Sequence, residues 1–465
     1  MSQLCENSKV LRKCLRYFRF IPKVVLFAII SFISIFLTHA QDNKDTIQYL
    51  NLDQCIVYAL QHQPAMMQSS INVSVARKTN AINLSAWIPQ VYLTGDFTHY
   101  GQLPSTFETN PANPAGPLIP VHSGVSNTFL PQVSATETIF SPDVLYAARS
   151  AHLLVKQAQQ SMDSTKINLI STVSKSFYNL LNTLEQINVL KEDTARLGKN
   201  LRDTYRQNIG GIVDETDYKE AYISLNVSKS QLKHANESVR PEYASLKQLM
   251  GLSPQTKFNV IFDTLQMMQE ITFDTTQQLQ YEKRIEYQQL QTSKSLQKQT
   301  LNYYRTQFLP TLSAFYDYTY EYESSTYSNF FAQAYSFSYA GASISIPLFT
   351  GFRRNESIQK TKLIGQQIDW AEVDLKSRIY SEYTNAMANY KSYLYDLSIL
   401  RDNVKMAKEV YVIVSLQYKQ GVIAYLNVIT AESNLISSEI SYLNALFEVL
   451  SSKVDLEKAM GTLSN

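Results

Sequence analysis

The strongest constraint on the fold is that the chain repeats itself about 210 residues further along. The matched residues are Gly211 and Gly421, Ala221 and Ala431, Leu246 and Leu456, and the Met-Gly pairs at 250–251 and 460–461. A period of this kind indicates one structural unit that occurs twice. We predict a first repeat over residues 50–251, a connector over 252–275 and a second repeat over 276–461.

The amino terminus has the pattern of a secretory signal peptide. Basic residues precede the apolar run Val24–Leu37, and small residues stand at Thr38 and Ala40. The run is shorter than the ~20 residues of a membrane-spanning helix, so we predict cleavage after Ala40. The mature chain would keep only Cys55, which leaves no intrachain disulfide. All of the net positive charge lies in this segment and the remainder of the chain is negative, so no nucleic-acid-binding face is expected.

Each repeat combines a pair of strands with very long helices. Alternation of period two predicts strands that begin after Pro89 and Pro310. Their partners are predicted at 128–140 and 335–346, and an exposed loop at 101–128. Apolar residues spaced three and four apart predict a helix of about 65 residues after Pro142 and another of nearly 70 before Gly421. A shorter helix is predicted from about Gln277 to Gln307.

Four strands of this kind cannot form a complete membrane structure alone. The stretch 311–323 alternates apolar with polar residues over the length that a transmembrane strand needs. A barrel needs about eight strands, and open strand edges are not tolerated in lipid. The chain must therefore assemble with copies of itself. Two copies would give eight strands and a filled barrel, whereas three would give twelve strands and room for a pore.

The order of these elements, run twice, resembles the TolC-like outer membrane efflux proteins. The resemblance covers about 50–463, and its strength lies in the order and duplication of motifs that are each weak. Those motifs are Ala59-Leu60 with Pro64, Pro347-Leu348-Phe349-Thr350-Gly351, Tyr418-Lys419-Gln420-Gly421, Asn427-Val428, Ala431-Glu432 and Ala459-Met460-Gly461.

The resemblance implies a mixed α and β fold that is internally duplicated. A homotrimer would form one twelve-stranded transmembrane β-barrel in the outer membrane, continued by a long periplasmic α-helical barrel. Such a protein is a passive exit duct that docks a periplasmic adaptor protein and an inner-membrane pump. The periplasmic tip, where the adaptor docks, would be formed by Gly210, Gly211, Ile212 and Val213 and by Gly421, Val422 and Ile423.

The pore constriction departs from the family pattern. Relatives carry acidic, cation-binding residues at the positions of Asn427 and Thr430, which are neutral here. The first repeat has Asp217 and Glu220 at the equivalent places, so the constriction is predicted from these four residues. An alternative interpretation is that the acids at 214–220 only complement the dipole of the helix that they begin.

Nothing in the sequence indicates an enzyme. The histidines are scattered without metal-ligand spacing, and no nucleophile or nucleotide-binding motif is found. We expect no catalytic residues, no metal and no cofactor. Two alternatives to the duct remain open: an exported coiled-coil structural or adhesive surface protein, and a simple porin, which would leave half of the chain as unexplained helix.

Overall fold

The computed structural model describes residues 48–261, 271–274 and 276–463. The predicted signal peptide and the middle of the predicted connector lie outside these ranges. The chain divides into two compact units. In the smaller unit, strand β1 (Gln48–Leu50) pairs in parallel with strand β6 (Phe258–Val260). The larger unit holds all the elements described below.

Two short helices begin the first repeat. Helix α1 spans Leu52–His62, and Asn51 and Gln54 cap it by exchanging side-chain hydrogen bonds of 2.9 and 3.0 Å with each other's backbone N–H groups. Helix α2 spans Pro64–Leu84. Proline stands at its first position because that residue has no N–H to satisfy there. The interruption predicted at Pro64 is confirmed.

The long helices form two antiparallel hairpins. Helix α3 (Pro142–Ile209, 68 residues) precedes α4 (Glu215–Met250). Helix α5 spans Ile285–Thr306, and α6 (Arg353–Lys419, 67 residues) precedes α7 (Tyr425–Met460).

The predicted start of α5 near Gln277 was wrong. A short 3-10 turn ends at Lys283, and the extended backbone of Arg284 delays the helix to Ile285.

The four predicted strands are present in one antiparallel sheet. The strands are β2 (Gln90–His99), β5 (Asn127–Phe140), β7 (Thr311–Ser324) and β8 (Ala334–Ser345). They lie in the order β2-β5-β7-β8, so β2 and β8 are open edges. The predicted loop at 101–128 was partly wrong, because β3 (Ser105–Glu108) and β4 (Ile119–His122) pair within it as a small hairpin.

The two faces of the sheet differ in polarity. The register places Asp96, Ser134 and Asp317 on one face, while the tyrosines at 316–322 lie on the other. The aromatic residues of β8 lie on the acid-bearing face, since Tyr339 pairs with Asp317. Phe315 also lies on this face. It is accommodated because the opposite residue is glycine, and a Cβ on Gly341 would come within 2.6 Å of its ring.

The core runs along the helices, as the predicted coiled-coil seam required. Its best-buried part includes Val173, Phe177 and Leu180 of α3 and Val449 and Leu450 of α7. Apolar packing of this kind is worth roughly 25 cal/mol per Å² buried. None of the helices in the described ranges has the length and apolar character needed to cross a membrane.

Candidate functional site at the helix turns

The two helix turns have the same backbone geometry. Helix α3 ends at Gly210-Gly211, where Gly211 has a φ of +67°, and α6 ends before Gly421, which has a φ of +71°. In the first turn the N–H of Ile212 donates to the carbonyl of Gln207 over 2.8 Å. In the second, the N–H of Val422 donates to the carbonyl of Gln417 over 3.0 Å. Glycine is needed because other residues are strained at positive φ.

The two turns lie at the same end of the molecule. The hydroxyl of Tyr418 on α6 donates to Oε1 of Gln207 on α3 over 3.1 Å. Ala221, Tyr425 and Val428 form a buried cluster beside this bond. Because Ala221 belongs to α4 and the others to α7, the cluster joins the two hairpins just above their turns.

The outermost apolar side chains of the turns are largely exposed in a single chain. Ile212 is 75% exposed and Val422 is 67% exposed, although Val213 and Ile423 are half-buried. The two turns therefore present equivalent apolar side chains to solvent, Ile212 on the first and Val422 on the second.

The acidic residues after the first turn have partly structural roles. Asp214 caps α4, and its side chain accepts from the N–H of Glu215 over 2.6 Å. Glu215 pairs with Lys219 at 3.0 Å. Asp217 and Glu220 are half-buried. Burial is the main cause that raises the pKa of Asp217, and the nearby Asp214 adds to it.

The neutral pair on α7 lies on an exposed face. The side-chain amide of Asn427 donates to the carbonyl of Ala424 over 3.4 Å, and the hydroxyl of Thr430 donates to the carbonyl of Leu426 over 2.9 Å. No hydrogen bond or ion pair of the described residues joins these two side chains to Asp217 or Glu220. The predicted constriction residues lie on two separate helices, with the acids on α4 and the neutral pair on α7.

Sequence reasoning missed a buried ionic network above the turns. Arg196 of α3 donates from Nε to Oε1 of Glu432 on α7 over 2.7 Å and from Nη2 to Oδ1 of Asp193 over 3.0 Å. Asn200 donates to Glu432 over 3.2 Å, and Ser228 of α4 donates to Asp193 over 2.7 Å. Both carboxylates are almost fully buried. The network therefore ties both hairpins together through three helices.

The carboxylates of this network are held in an unfavourable environment. Burial is the largest influence on the pKa of Glu432 and of Asp193, and it raises both above their ordinary values. Arg196 counteracts that rise by pairing with both groups. The sequence signal was present, because Asp193 interrupts the apolar spacing between Leu190 and Leu197.

A groove lies beside the network. It has a volume of about 480 Å³ and runs between α4 and α7. Its apolar residues include Ile223 and Val227 on α4 and Ile429 and Ile436 on α7. Serines lie between these residues on both walls, and the network carboxylates Asp193 and Glu432 also line the groove. Among the residues that the structure describes, no cluster of His, Cys, Asp or Glu could hold a metal ion.

Comparison with known proteins identifies the family. The model of the family described as outer membrane efflux protein matches residues 55–252 and 298–462, which is most of both repeats. The chain belongs to the outer membrane efflux protein family. The family is one of channels rather than enzymes, and it places this chain in the outer membrane with its helical part in the periplasm.

Solved structures show the same fold. The outer membrane protein VceC of Vibrio cholerae is 14% identical with a TM-score of 0.68, and the match covers 88% of this chain and 96% of that one. The CmeC channel of Campylobacter jejuni is 17% identical with a TM-score of 0.69 over 89% and 87%. The open MtrE channel of Neisseria gonorrhoeae is 18% identical with a TM-score of 0.68 over 88% of both chains. No curated protein sequence matches the chain.

Proposed function

We propose that this protein is the outer-membrane exit duct of a tripartite efflux or secretion system. The observation that carries the proposal is a four-stranded sheet with two open edges in a chain of the efflux family. The sheet is continued by two helical hairpins, and the longer helix of each spans about 100 Å. Substrates would enter from the periplasmic end of the helices and leave through the barrel.

Three copies are proposed to form the duct. An open strand edge would leave backbone N–H and C=O groups without partners in lipid, where each costs several kcal/mol. Two copies would give an eight-stranded barrel that its own side chains fill. Three copies give twelve strands, which leave a hollow interior suited to a conduit.

Conduction through the duct is proposed to be passive. The sequence has no nucleotide-binding motif, so energy must come from an inner-membrane pump. A periplasmic adaptor protein would connect the two. We place its docking site at the turns formed by 210–213 and 421–423, with the exposed Ile212 and Val422 as contacts and the groove between α4 and α7 as a seat for an adaptor helix.

The narrowest part of the pore is proposed near the same end. Asp217 and Glu220 on α4 and Asn427 and Thr430 on α7 are the proposed lining residues. Since the α7 pair is neutral, any cation binding at the constriction would depend on the α4 acids. Replacing Asp217 and Glu220 together by amides should then remove a block by divalent cations in planar-bilayer conductance measurements.

The docking site is tested by Gly421→Val. Valine is strained at a φ of +71°, by roughly 1–2 kcal/mol, but a Cβ at this position meets no atom within 4 Å. The turn should therefore be distorted while the sheet is untouched. Gly198→Val, inside α3 and outside the turn, is the matched control.

The expected result is an outer-membrane trimer that no longer supports export. Export is measured as drug susceptibility of a deletion strain that retains its pump, and adaptor capture is measured on the purified trimer. Normal export by Gly421→Val would contradict docking at this turn. Loss of the trimer would instead show that Gly421 is structural.

The two alternatives make different predictions. A coiled-coil surface protein would not be extracted with the outer membrane as a heat-modifiable species. A simple porin would not need the pump for its effect on drug susceptibility. No structural observation favours either alternative over the duct.

A further inference from the structure

We infer that the edge strands of neighbouring copies pair in one particular register, with Ser343 of one copy opposite Asp96 of the next. This inference rests on the proposed homotrimer and specifies its interface. The principle is that the contact between the two repeats within one chain is the template for the contact between chains. A ring of three duplicated chains contains six similar units, and each unit must meet the next in a similar way.

The two strand hairpins establish how the repeats correspond. In the first hairpin Gln90 pairs with Thr136, and in the second Thr311 pairs with Ser345. The first strand has moved by 221 residues and the second by 209. These two shifts convert every pair of the first hairpin into a pair of the second. The correspondence is therefore fixed to the single residue.

The template pair lies where the two repeats meet inside the sheet. Strand β5 of the first repeat pairs with β7 of the second, and Ser134 lies opposite Asp317. The Ser134 hydroxyl donates to Oδ1 of Asp317 over 2.5 Å. Shifting Ser134 by 209 gives Ser343, and shifting Asp317 back by 221 gives Asp96. The open edge of β8 thus carries a serine, and the open edge of β2 an aspartate, at the positions equivalent to the template pair.

The positions on both edges are consistent with this pairing. Ser343 lies on the same face of the sheet as Asp96, because both share a face with Asp317. A pairing displaced by one residue would join the acid-bearing face of one sheet to the tyrosine-bearing face of the next. The strand ends differ in the way that this template predicts. Strand β5 continues to Phe140, which pairs with Leu312 of the second repeat. Strand β8 ends at Ser345, and the stretch that follows it would find the equivalent partner only in the next copy.

Helix α6 carries large apolar side chains that are exposed in a single chain. On α6, Leu363, Trp370 and Tyr380 are 61%, 74% and 58% exposed. Their counterparts 210 residues earlier on α3 are Leu153, Gln160 and Ile170, which are 9%, 5% and 4% exposed. Helix α3 is covered by α2 of its own repeat and by α5 and α7 of the second repeat. Large apolar side chains at covered positions of the repeat indicate that a second copy covers α6.

The contact above the turns has an equivalent between chains, but the chemistry of the two contacts differs. Within the chain, Arg196 of α3 meets Glu432 of α7. Their counterparts are Met406 on α6 and Tyr222 on α4, which are 63% and 52% exposed. An ionic contact between the repeats of one chain therefore corresponds to an apolar contact between chains. The first contact pairs two opposite charges, and the second pairs two apolar side chains.

Cysteine cross-linking tests the register. Cys55→Ala provides a mature chain without thiols, and Ser343→Cys with Asp96→Cys is added to it. Opposed residues of neighbouring strands have Cβ atoms about 4.5–5.5 Å apart, close enough for a bridge after a small adjustment. Ser134→Cys with Asp317→Cys is the matched positive control, which should close within one chain. Ser343→Cys with Phe97→Cys is the negative control, one residue out of register.

Covalent dimers and trimers on a non-reducing gel, after oxidation in isolated outer membranes, are the expected result. Ala342→Cys with Phe97→Cys has the same register and replaces the first pair if that pair does not insert. A trimer by light scattering that links only through the out-of-register pair, or through none, would overturn the register and leave the duct intact. A monomer would overturn the proposed duct itself.

Discussion

The two helix turns have nearly the same backbone but are stabilised in different ways. The first turn has local polar support, because Asp214 caps the following helix with its side chain. The second turn has no such cap, since Ala424 occupies the equivalent position. Instead, Tyr425 and Val428 bury themselves against the first hairpin. A duplicated backbone has thus acquired a self-supporting turn and a turn that depends on packing against its neighbour.

This difference bears on how the end of the molecule could move. A turn held by its own cap stays formed when its surroundings change. A turn held by side-chain packing becomes more mobile when that packing is lost. We therefore expect rearrangement at the proposed tip to begin with the second hairpin.

The largest effect is expected from Tyr425→Ala. Tyr425 is 1% exposed, and removing a large buried aromatic side chain costs about 3–5 kcal/mol. Hydrogen exchange across 418–432 should rise by orders of magnitude, while exchange across 205–218 changes little. Tyr205→Ala, an exposed tyrosine near the first turn, is the control. Equal increases in both turns would contradict the comparison.

The next effect is expected from Arg196→Met, which leaves Asp193 and Glu432 buried without their cation. Removing one partner of a buried ionic network costs about 3 kcal/mol. Both hairpins should lose thermal stability, because the network bridges them.

The same variant has a predicted pH dependence. Burial raises the pKa of Glu432 in the folded protein, so the folded state binds this proton more tightly than the unfolded state does. A group of this kind loses stability as the pH rises from its ordinary value through the raised one. Without Arg196 the pKa rises further. Arg196→Met should therefore be more destabilised, relative to the unmodified protein, at about pH 8 than at about pH 5. An unchanged difference would show that the carboxylates are not coupled to folding through Arg196.

The smallest effect comes from exchanging the caps. Asp214→Ala should weaken the first turn by about 1 kcal/mol, and Ala424→Ser should strengthen the second by a similar amount. Hydrogen exchange of the first turn of α4 and of α7 measures both. If Asp214→Ala is neutral, the first turn is not supported by its own cap.

The features that could be predicted from the sequence are those set by neighbouring residues. Gly211 and Gly421 mark the turns because their backbone needs positive φ, and the four strands follow from period-two alternation. The small hairpin at 105–122 was missed because prolines and polar residues hid its short alternation. The ionic network was missed for a different reason. Arg196 and Glu432 are separated by 236 residues, and only the folded chain brings them together.

The central claim is that this chain builds a duct only as a ring of copies. The most direct test is the mass of the species extracted from the outer membrane, measured by light scattering with correction for bound detergent. The account predicts three chains. A single chain, or a protein found only in the soluble fraction, would contradict it, because a four-stranded sheet with open edges cannot close a barrel alone.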